Sequence, residues 1–277
     1  MAHETFIFSL HNSQLFGQVW SPDGTPSAVM ALVHGHGEHS GRYAPMAQYL
    51  NNAGIAVIAS DQFGHGQTSG KKGHTPSYAA MLDGIDELLA EAKRRFHGVP
   101  LFLYGHSMGG NIVANYVLRR GAPVQGVILS SPWLRLALKP TSAQLLMAKA
   151  GRLLAPSLTQ STKLDAKLIS QIPEEVERYK ADPLNHDLIS PTMFFGVHEG
   201  GEYAMTHATK WKLPLFAIHG TADQITSHEA TKEFCDSIAG DTTFFPVADG
   251  FHELHYDLKR EESLHALKTW MLAHATH

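Results

Sequence analysis

A chain of 277 residues, 43% hydrophobic and 17% charged, with a formal net charge of -4, has the make-up of a globular enzyme with one core and an insertion. No run of Lys and Arg forms a basic patch, which excludes nucleic acid as a main partner, and the single cysteine, Cys235, excludes an intrachain disulfide or a cage of several thiolates. The N-terminal residues lack the charged start and long apolar stretch of a signal peptide, and no apolar run is long enough to span a bilayer, so a cytoplasmic protein is expected.

In chain order, Phe6-Ile7-Phe8 and residues 15–20 alternate in polarity around a turn at Asn12-Ser13, which predicts an antiparallel hairpin. From residue 28 the rhythm changes. Short apolar runs at 29–33, 55–59, 101–104 and 127–129 alternate with segments of helical period, the signature of βαβ units around a buried parallel sheet. The clearest helix follows Thr75-Pro76, with Pro76 expected in its first turn; Tyr78, Met81, Leu82, Ile85, Leu88, Leu89 and Ala92 form one apolar face. After Ser130-Ser131-Pro132 the alternation stops, and helical segments broken by Pro140, Pro156, Pro173, Pro183 and Pro191 suggest an inserted cap with a hinge at Gly200-Gly201. It resumes with strands at 215–218 and 243–247, a capping box Thr226-x-x-Glu229, and a closing helix at 259–274. The expected organisation is a core of residues 1–131 and 214–277 interrupted by a helical cap, residues 132–213.

The chemistry begins where the strand at 101–104 runs into Gly105-His106-Ser107-Met108-Gly109-Gly110 and then into a helix-forming segment. That strand-turn-helix setting marks a nucleophile elbow, with the Ser107 hydroxyl held exposed on a strained turn. A serine hydroxyl is too weak an acid to attack an ester unaided; it needs an imidazole base, and the base needs a carboxylate to fix its tautomer. Asp223 follows the strand at 215–218, and His252 follows the last strand, so the order Ser, Asp, His is that of α/β hydrolases. His219 and His255 are rival bases, and position just after the last strand favours His252; Asp249 is a rival acid, but it lies so near His252 in sequence that facing the ring's far nitrogen is awkward, which favours Asp223. The tetrahedral oxyanion requires preorganised amides, expected from Met108 and from His36 in the His34-Gly35-His36-Gly37 loop. Asp61-x-x-Gly64-His65-Gly66 lacks phosphate-loop spacing and reads as structural, with Asp61 bonding local backbone or a histidine. The histidine clusters lack companion carboxylates at ligand spacing, so neither a metal nor another cofactor is expected.

The segments His34-Gly35-His36-Gly37-Glu38-His39-Ser40-Gly41-Arg42-Tyr43, Asp61-x-x-Gly64-His65-Gly66, Gly105 to Gly110, Asp182-Pro183-Leu184, His219-Gly220-x-x-Asp223 and His252-x-x-His255 resemble the monoacylglycerol lipase and lysophospholipase family. The resemblance spans nearly the whole core and is weak in the cap. It implies an α/β-hydrolase fold, a mostly parallel sheet flanked by helices with an inserted cap, and a triad of Ser107, Asp223 and His252. It also implies that Glu38, Arg42 and His255 gather around a glycerol head group; an internal Glu38–Arg42 ion pair is the alternative. His36 stands where the family commonly has a small residue. The implied substrate is a single-chain lipid ester, monoacylglycerol first, with lysophospholipids, simple carboxylic esters and peptides behind it; a ligand receptor is the non-enzymatic alternative, and Ser107 argues against epoxide or haloalkane chemistry. Leu145, Leu146, Met147, Leu153, Leu154, Met193, Phe194 and Phe195 in the cap would either pack on the core or line an acyl tunnel and touch a membrane surface.

Overall fold

The computed structural model describes residues 2–138 and 149–275. Strands β1 (Ala2–Leu10) and β2 (Ser13–Ser21) form the expected hairpin. Its turn falls on His11 and Asn12, with φ of 47° and 62°, one residue before the predicted Asn12-Ser13. Asn tolerates the left-handed region that a tight hairpin turn demands.

Five strands follow the predicted apolar runs with slightly wider bounds: β3 (Ala28–Val33), β4 (Ile55–Ser60), β5 (Leu101–His106), β6 (Gly126–Ser130) and, after the insertion, β9 (Leu215–Gly220). Every residue in them is buried, which explains why they read as continuous apolar runs. With β10 (Thr242–Val247) they build one sheet in the order β1-β2-β4-β3-β5-β6-β9-β10, parallel from β4 to β10 and antiparallel at β1-β2 and β2-β4. Pro246 sits in β10 at the sheet edge, where its missing N–H costs no ladder bond.

Side chains of successive strand residues enter opposite cores. Val29, Ala31 and Val33 pack with helices α2 (Tyr78–Arg95) and α3 (Met108–Arg120), whereas Met30 and Leu32 pack with α1 (Ala44–Asn51) and the C-terminal helix at 260–274. The predicted face of α2 is buried from Met81 to Ala92, with Ala80 in addition and Tyr78 packed at its margin. The helix starts later than expected, because the Ser77 hydroxyl accepts from the Ala80 N–H and acts as N-cap, leaving Pro76 outside.

Between the neighbouring strands β6 and β9 the chain makes a long excursion. It contains a helical stretch at 149–154, a two-strand pair of β7 (Gln160–Ser161) with β8 (Leu188–Ile189), and helices α4 (Pro173–Ala181) and α5 (Pro191–His207). Pro173 and Pro191 occupy the first turns of α4 and α5, where the absent N–H has no intrahelical partner to lose. Pro140, Leu145, Leu146 and Met147 lie outside the described residues. Met193 and Phe195 are fully buried, Met193 in the same core as α2 and α3, and Phe194 packs against that core from its margin, so these residues resolve toward packing. Leu153 and Leu154 face solvent, 84% and 81% exposed, rather than a tunnel.

The predicted hinge at Gly200-Gly201 is instead the interior of α5. A Cβ on Gly201 would stand 2.1 Å from the Leu134 carbonyl, and one on Gly200 2.6 Å from the Tyr78 hydroxyl. The glycines are there to let α5 approach its neighbours, not to let it bend. Asn111 and Asn115 of α3 then donate to the carbonyls of Val197 and Gly200, each at 2.8 Å. After β9, α6 (His228–Asp236) is capped by Ser227, whose hydroxyl accepts from Ala230 N–H; the predicted cap Thr226 lies one residue early and is drawn into the site described below. Helix α7 (Arg260–His274) closes the chain.

Candidate active site

Strand β5 ends at His106, and the chain reverses at Ser107 with φ 53° and ψ −118° before α3 begins. Left-handed backbone at a non-glycine residue costs on the order of 1–3 kcal/mol and persists only where its surroundings hold it. Here the Ser107 N–H donates to Ser130 O at 3.0 Å, and the Ser107 carbonyl accepts from the N–H of Trp133 at 2.8 Å. The turn is also crowded: a Cβ on Gly109 would lie 2.1 Å from Val33 O, and one on Gly105 2.5 Å from Gly109 O.

His252 Nε2 stands 2.9 Å from Ser107 Oγ, and His252 Nδ1 stands 2.7 Å from Asp223 Oδ2. The carbonyl of His252 accepts from Ser131 Oγ at 2.9 Å, which fixes the histidine loop against the end of β6. Burial opposes a charge on His252, but the Asp223 carboxylate outweighs it and raises the imidazole above its ordinary value, with Glu253 and Glu38 adding to the effect. Burial likewise opposes the charge on Asp223, yet His252 and hydrogen bonds from His219 and His252 hold its carboxyl well below the usual range. The rivals fall elsewhere: Asp249, at the start of the loop after β10, is exposed, and His219 reaches Asp223 rather than the serine.

One expectation is overturned. The serine predicted to hold its hydroxyl exposed is a buried residue, with Ser107 6% and His252 4% accessible. The reason is close packing above the elbow: a Cβ on Gly35 would come 3.1 Å from Ser107 Cβ, and the 132–133 turn bonds the serine backbone.

Of the two amides expected to face an oxyanion, one follows Ser107 directly and the other lies in the loop whose Gly35 packs against Ser107. Met108 opens α3, whose first turn has no earlier helical carbonyl for its N–H. The N–H of His36 has no acceptor among the described residues. Its loop is held from both sides. Gly35 N–H donates to Glu38 Oε1 at 2.6 Å, and the Gly37 carbonyl accepts from Tyr179 Oη at 3.0 Å and His186 N at 3.1 Å. The His36 ring packs edge-on against His65 and His186, while burial, reinforced by His186, lowers its pKa to about 3. Asp61 does bond local backbone: Oδ1 accepts from Ser40 N–H at 2.8 Å and Oδ2 from Gln67 N–H at 2.8 Å.

Glu38 and Arg42 form the internal pair kept open above, at 2.9 Å. The sequence reading missed the third member, Glu253, which takes the Arg42 guanidinium in a two-pronged grip at 2.6 and 2.7 Å. A charged residue next to the loop histidine was the available signal, but nothing local places it opposite Arg42. Burial pushes the Glu38 carboxyl up, whereas Arg42 overcomes burial to hold Glu253 down. The guanidinium lies between the Tyr179 and Tyr256 rings, 4.7 and 5.1 Å from their centroids. His255 differs from these: it stacks on Tyr43 at 4.8 Å, lies 5.2 Å from the His106 ring, and neither of its buried nitrogens has a partner among the described residues. No group of three or more His, Cys, Asp or Glu among the described residues is arranged to hold a metal.

A parallel sheet with its nucleophile on a strained turn after β5, and its acid and base on the loops after β9 and β10, defines a serine hydrolase of the α/β-hydrolase fold. Residues 24–259 match the family described as serine aminopeptidase, S33. The chain belongs to that family. Among its relatives, an abhydrolase domain-containing protein of Dictyostelium discoideum is 34% identical over 92% of this chain, which spans only 27% of that protein. A monoacylglycerol lipase of Mycolicibacterium smegmatis is 31% identical over 92% of both chains. The crystal structure of Paleococcus ferrophilus monoacylglycerol lipase superposes with a TM-score of 0.84 at 35% identity, over 99% of this chain and all of that one (100%).

Proposed function

We propose that the protein hydrolyses carboxylic esters of single-chain lipids, monoacylglycerol foremost, through an acyl-enzyme on Ser107. His252 takes the serine proton as Oγ attacks the ester carbonyl, Asp223 steadies the imidazolium, and the His36 and Met108 amides receive the oxyanion. His252 then gives the proton to the departing alcohol, and a water, deprotonated by the same ring, releases the fatty acid. The Ser107–His252–Asp223 geometry carries this reading, and the lipase relatives support the choice of ester.

The alcohol is read from the charge around the site. Arg42, the cation of its cluster, is committed to Glu253 and Glu38, so a phosphate beside that cluster would meet carboxylates and a guanidinium already engaged. That favours a neutral alcohol over a lysophospholipid, with the unpartnered nitrogens of His255 as its polar contact. Glu38 and Arg42 act in this reading by shaping the loop rather than by binding glycerol. The excursion serves as the cap, residues 132–213, and its exposed Leu153, Leu154 and Leu158 are placed for passing contact with a lipid surface; no helix among the described residues is long and apolar enough to cross a membrane. The test is hydrolysis of monoacylglycerols, lysophosphatidylcholine and aryl esters of graded chain length, with Ser107→Ala as control. Monoacylglycerol should have the highest kcat/KM, and Ser107→Ala should lose about 10⁴-fold or more while keeping its fold; preferred turnover of lysophosphatidylcholine would contradict the neutral-alcohol assignment.

A further inference from the structure

The carboxylate behind His252 carries more donors than a triad needs. Asp223 Oδ1 accepts the N–H groups of Ile225 at 2.8 Å and Thr226 at 3.1 Å. On Oδ2, the oxygen that meets His252, a second imidazole converges: His219 Nε2 at 3.1 Å, joined by Thr226 Oγ1 at 3.0 Å. His219 is fully buried at the end of β9. Its other nitrogen, Nδ1, lies 2.8 Å from Thr231 Oγ1 on α6.

These contacts determine the tautomer. An ionised carboxylate only accepts, so His219 Nε2 must bear the hydrogen. In that tautomer Nδ1 carries the lone pair, and the Thr231 hydroxyl, whose other acceptor is the Ser227 carbonyl at a longer 3.5 Å, can turn to donate to it. His219 thus presents one fixed N–H to Oδ2 and, being the last imidazole before the loop that carries Asp223, also sets which way that carboxylate faces.

We propose that His219, held by Thr231, is a positioning residue for the triad: it aims Asp223 Oδ2 at His252 and, by sharing that oxygen, limits how strongly His252 holds its proton. The assignment rests on Ser107 being the nucleophile but not on which ester is cleaved. The other ionisable groups facing this arrangement are Glu253 beside His252, Glu38 and Arg42 on the loop after β3, His106 on β5, His255 beyond it, and His228 edge-on to His219. None of them contacts Asp223 by hydrogen bond among the described residues.

The experiment measures the rate of Ser107 phosphonylation by a fluorophosphonate against pH in the wild type and in His219→Leu, His219→Gln and Thr231→Val, with melting temperature recorded for each. The glutamine amide reaches the place of Nε2 and keeps a donor; leucine does not. We expect His219→Leu to react about tenfold more slowly with its acid limb about half a pH unit or more above the wild type's, Thr231→Val to move in the same direction by less, and His219→Gln to keep the wild-type limb. A purely structural role would lower the melting temperature of both His219 variants without moving the limb. Unchanged limbs in His219→Leu and Thr231→Val, or a His219→Gln limb displaced as far as that of leucine, overturn the proposal; should His219→Leu fail to fold, the glutamine and valine variants decide it on the same terms. A wild type that does not label at Ser107 overturns the hydrolase reading itself.

Discussion

At the level of single residues, the site depends on how charges are shared in a nearly dry space. His252 is lifted above its ordinary pKa by Asp223 against the opposition of burial. A protonated His252 cannot take the serine proton, so activity should fall as pH drops through a value above the ordinary 6.5 of a histidine. A kcat/KM profile with its acid limb well below 6.5 would contradict the assignment. Glu253 makes a second case. Removing its charge in Glu253→Gln leaves Arg42 buried with only Glu38 to oppose it, a change that should cost about 3 kcal/mol of stability. Urea denaturation would measure it, and a loss under about 0.5 kcal/mol would show the pair to be solvent-compensated. Both residues lay within reach of sequence reasoning to different degrees: His252 follows a strand end, whereas the partnership of Glu253 with Arg42 spans the chain and depends on where two loops meet.

Among the elements, the strands were the most legible, because β3 to β6 and β9 are buried on both faces and therefore nearly free of polar interruptions. Their boundaries ran one or two residues further than the apolar runs, since His106 and Gly220 continue the ladder while carrying the residues that matter chemically. The excursion was least legible. A glycine pair in a sequence looks the same whether it bends a helix or seats it, and only the contacts of Gly200 and Gly201 with Tyr78 and Leu134 decide. The contrast can be measured. Gly201→Ala pushes a Cβ onto a backbone carbonyl 2.1 Å away and should destabilise by about 1–3 kcal/mol, whereas Gly84→Ala in α2, with nothing nearer than Leu15 Cδ2 at 4.0 Å, should stabilise by about 0.5–1 kcal/mol. A Gly201→Ala variant that melts as high as Gly84→Ala would contradict the packing role and restore the hinge. Thr226 likewise read as a helix cap from its spacing to Glu229, but Ser227 caps and the Thr226 hydroxyl sits between Asp223 Oδ2 and the Ser131 carbonyl, 3.0 Å from each.

Over the whole molecule, the abundance of histidine has a thermodynamic consequence. His34, His65, His106 and His255 are buried, and burial depresses each: His34 falls to about 4, and the other three lie well below 6.5. In the unfolded chain these rings bind protons once pH falls below about 6.5, while the folded rings remain neutral. Their contribution to stability is therefore complete above 6.5 and is lost as pH falls toward the folded values, each by up to about 1.4 kcal/mol per pH unit. His252 acts with the opposite sign, contributing below 6.5 and losing that contribution as pH rises through its raised value. The depressed rings outnumber it, so the melting temperature should drop steeply between pH 7 and pH 5, with uptake of several protons on unfolding; a flat profile across that range in calorimetry would contradict the burial of these rings.

The central claim is that Ser107, bent into its strained turn, is activated by His252. Mass spectrometry of the protein after brief fluorophosphonate treatment tests it most directly: the adduct should map to the peptide bearing Ser107, and labelling should be lost in His252→Ala. An adduct on another serine, or undiminished labelling of Ser107 without the imidazole, would contradict it.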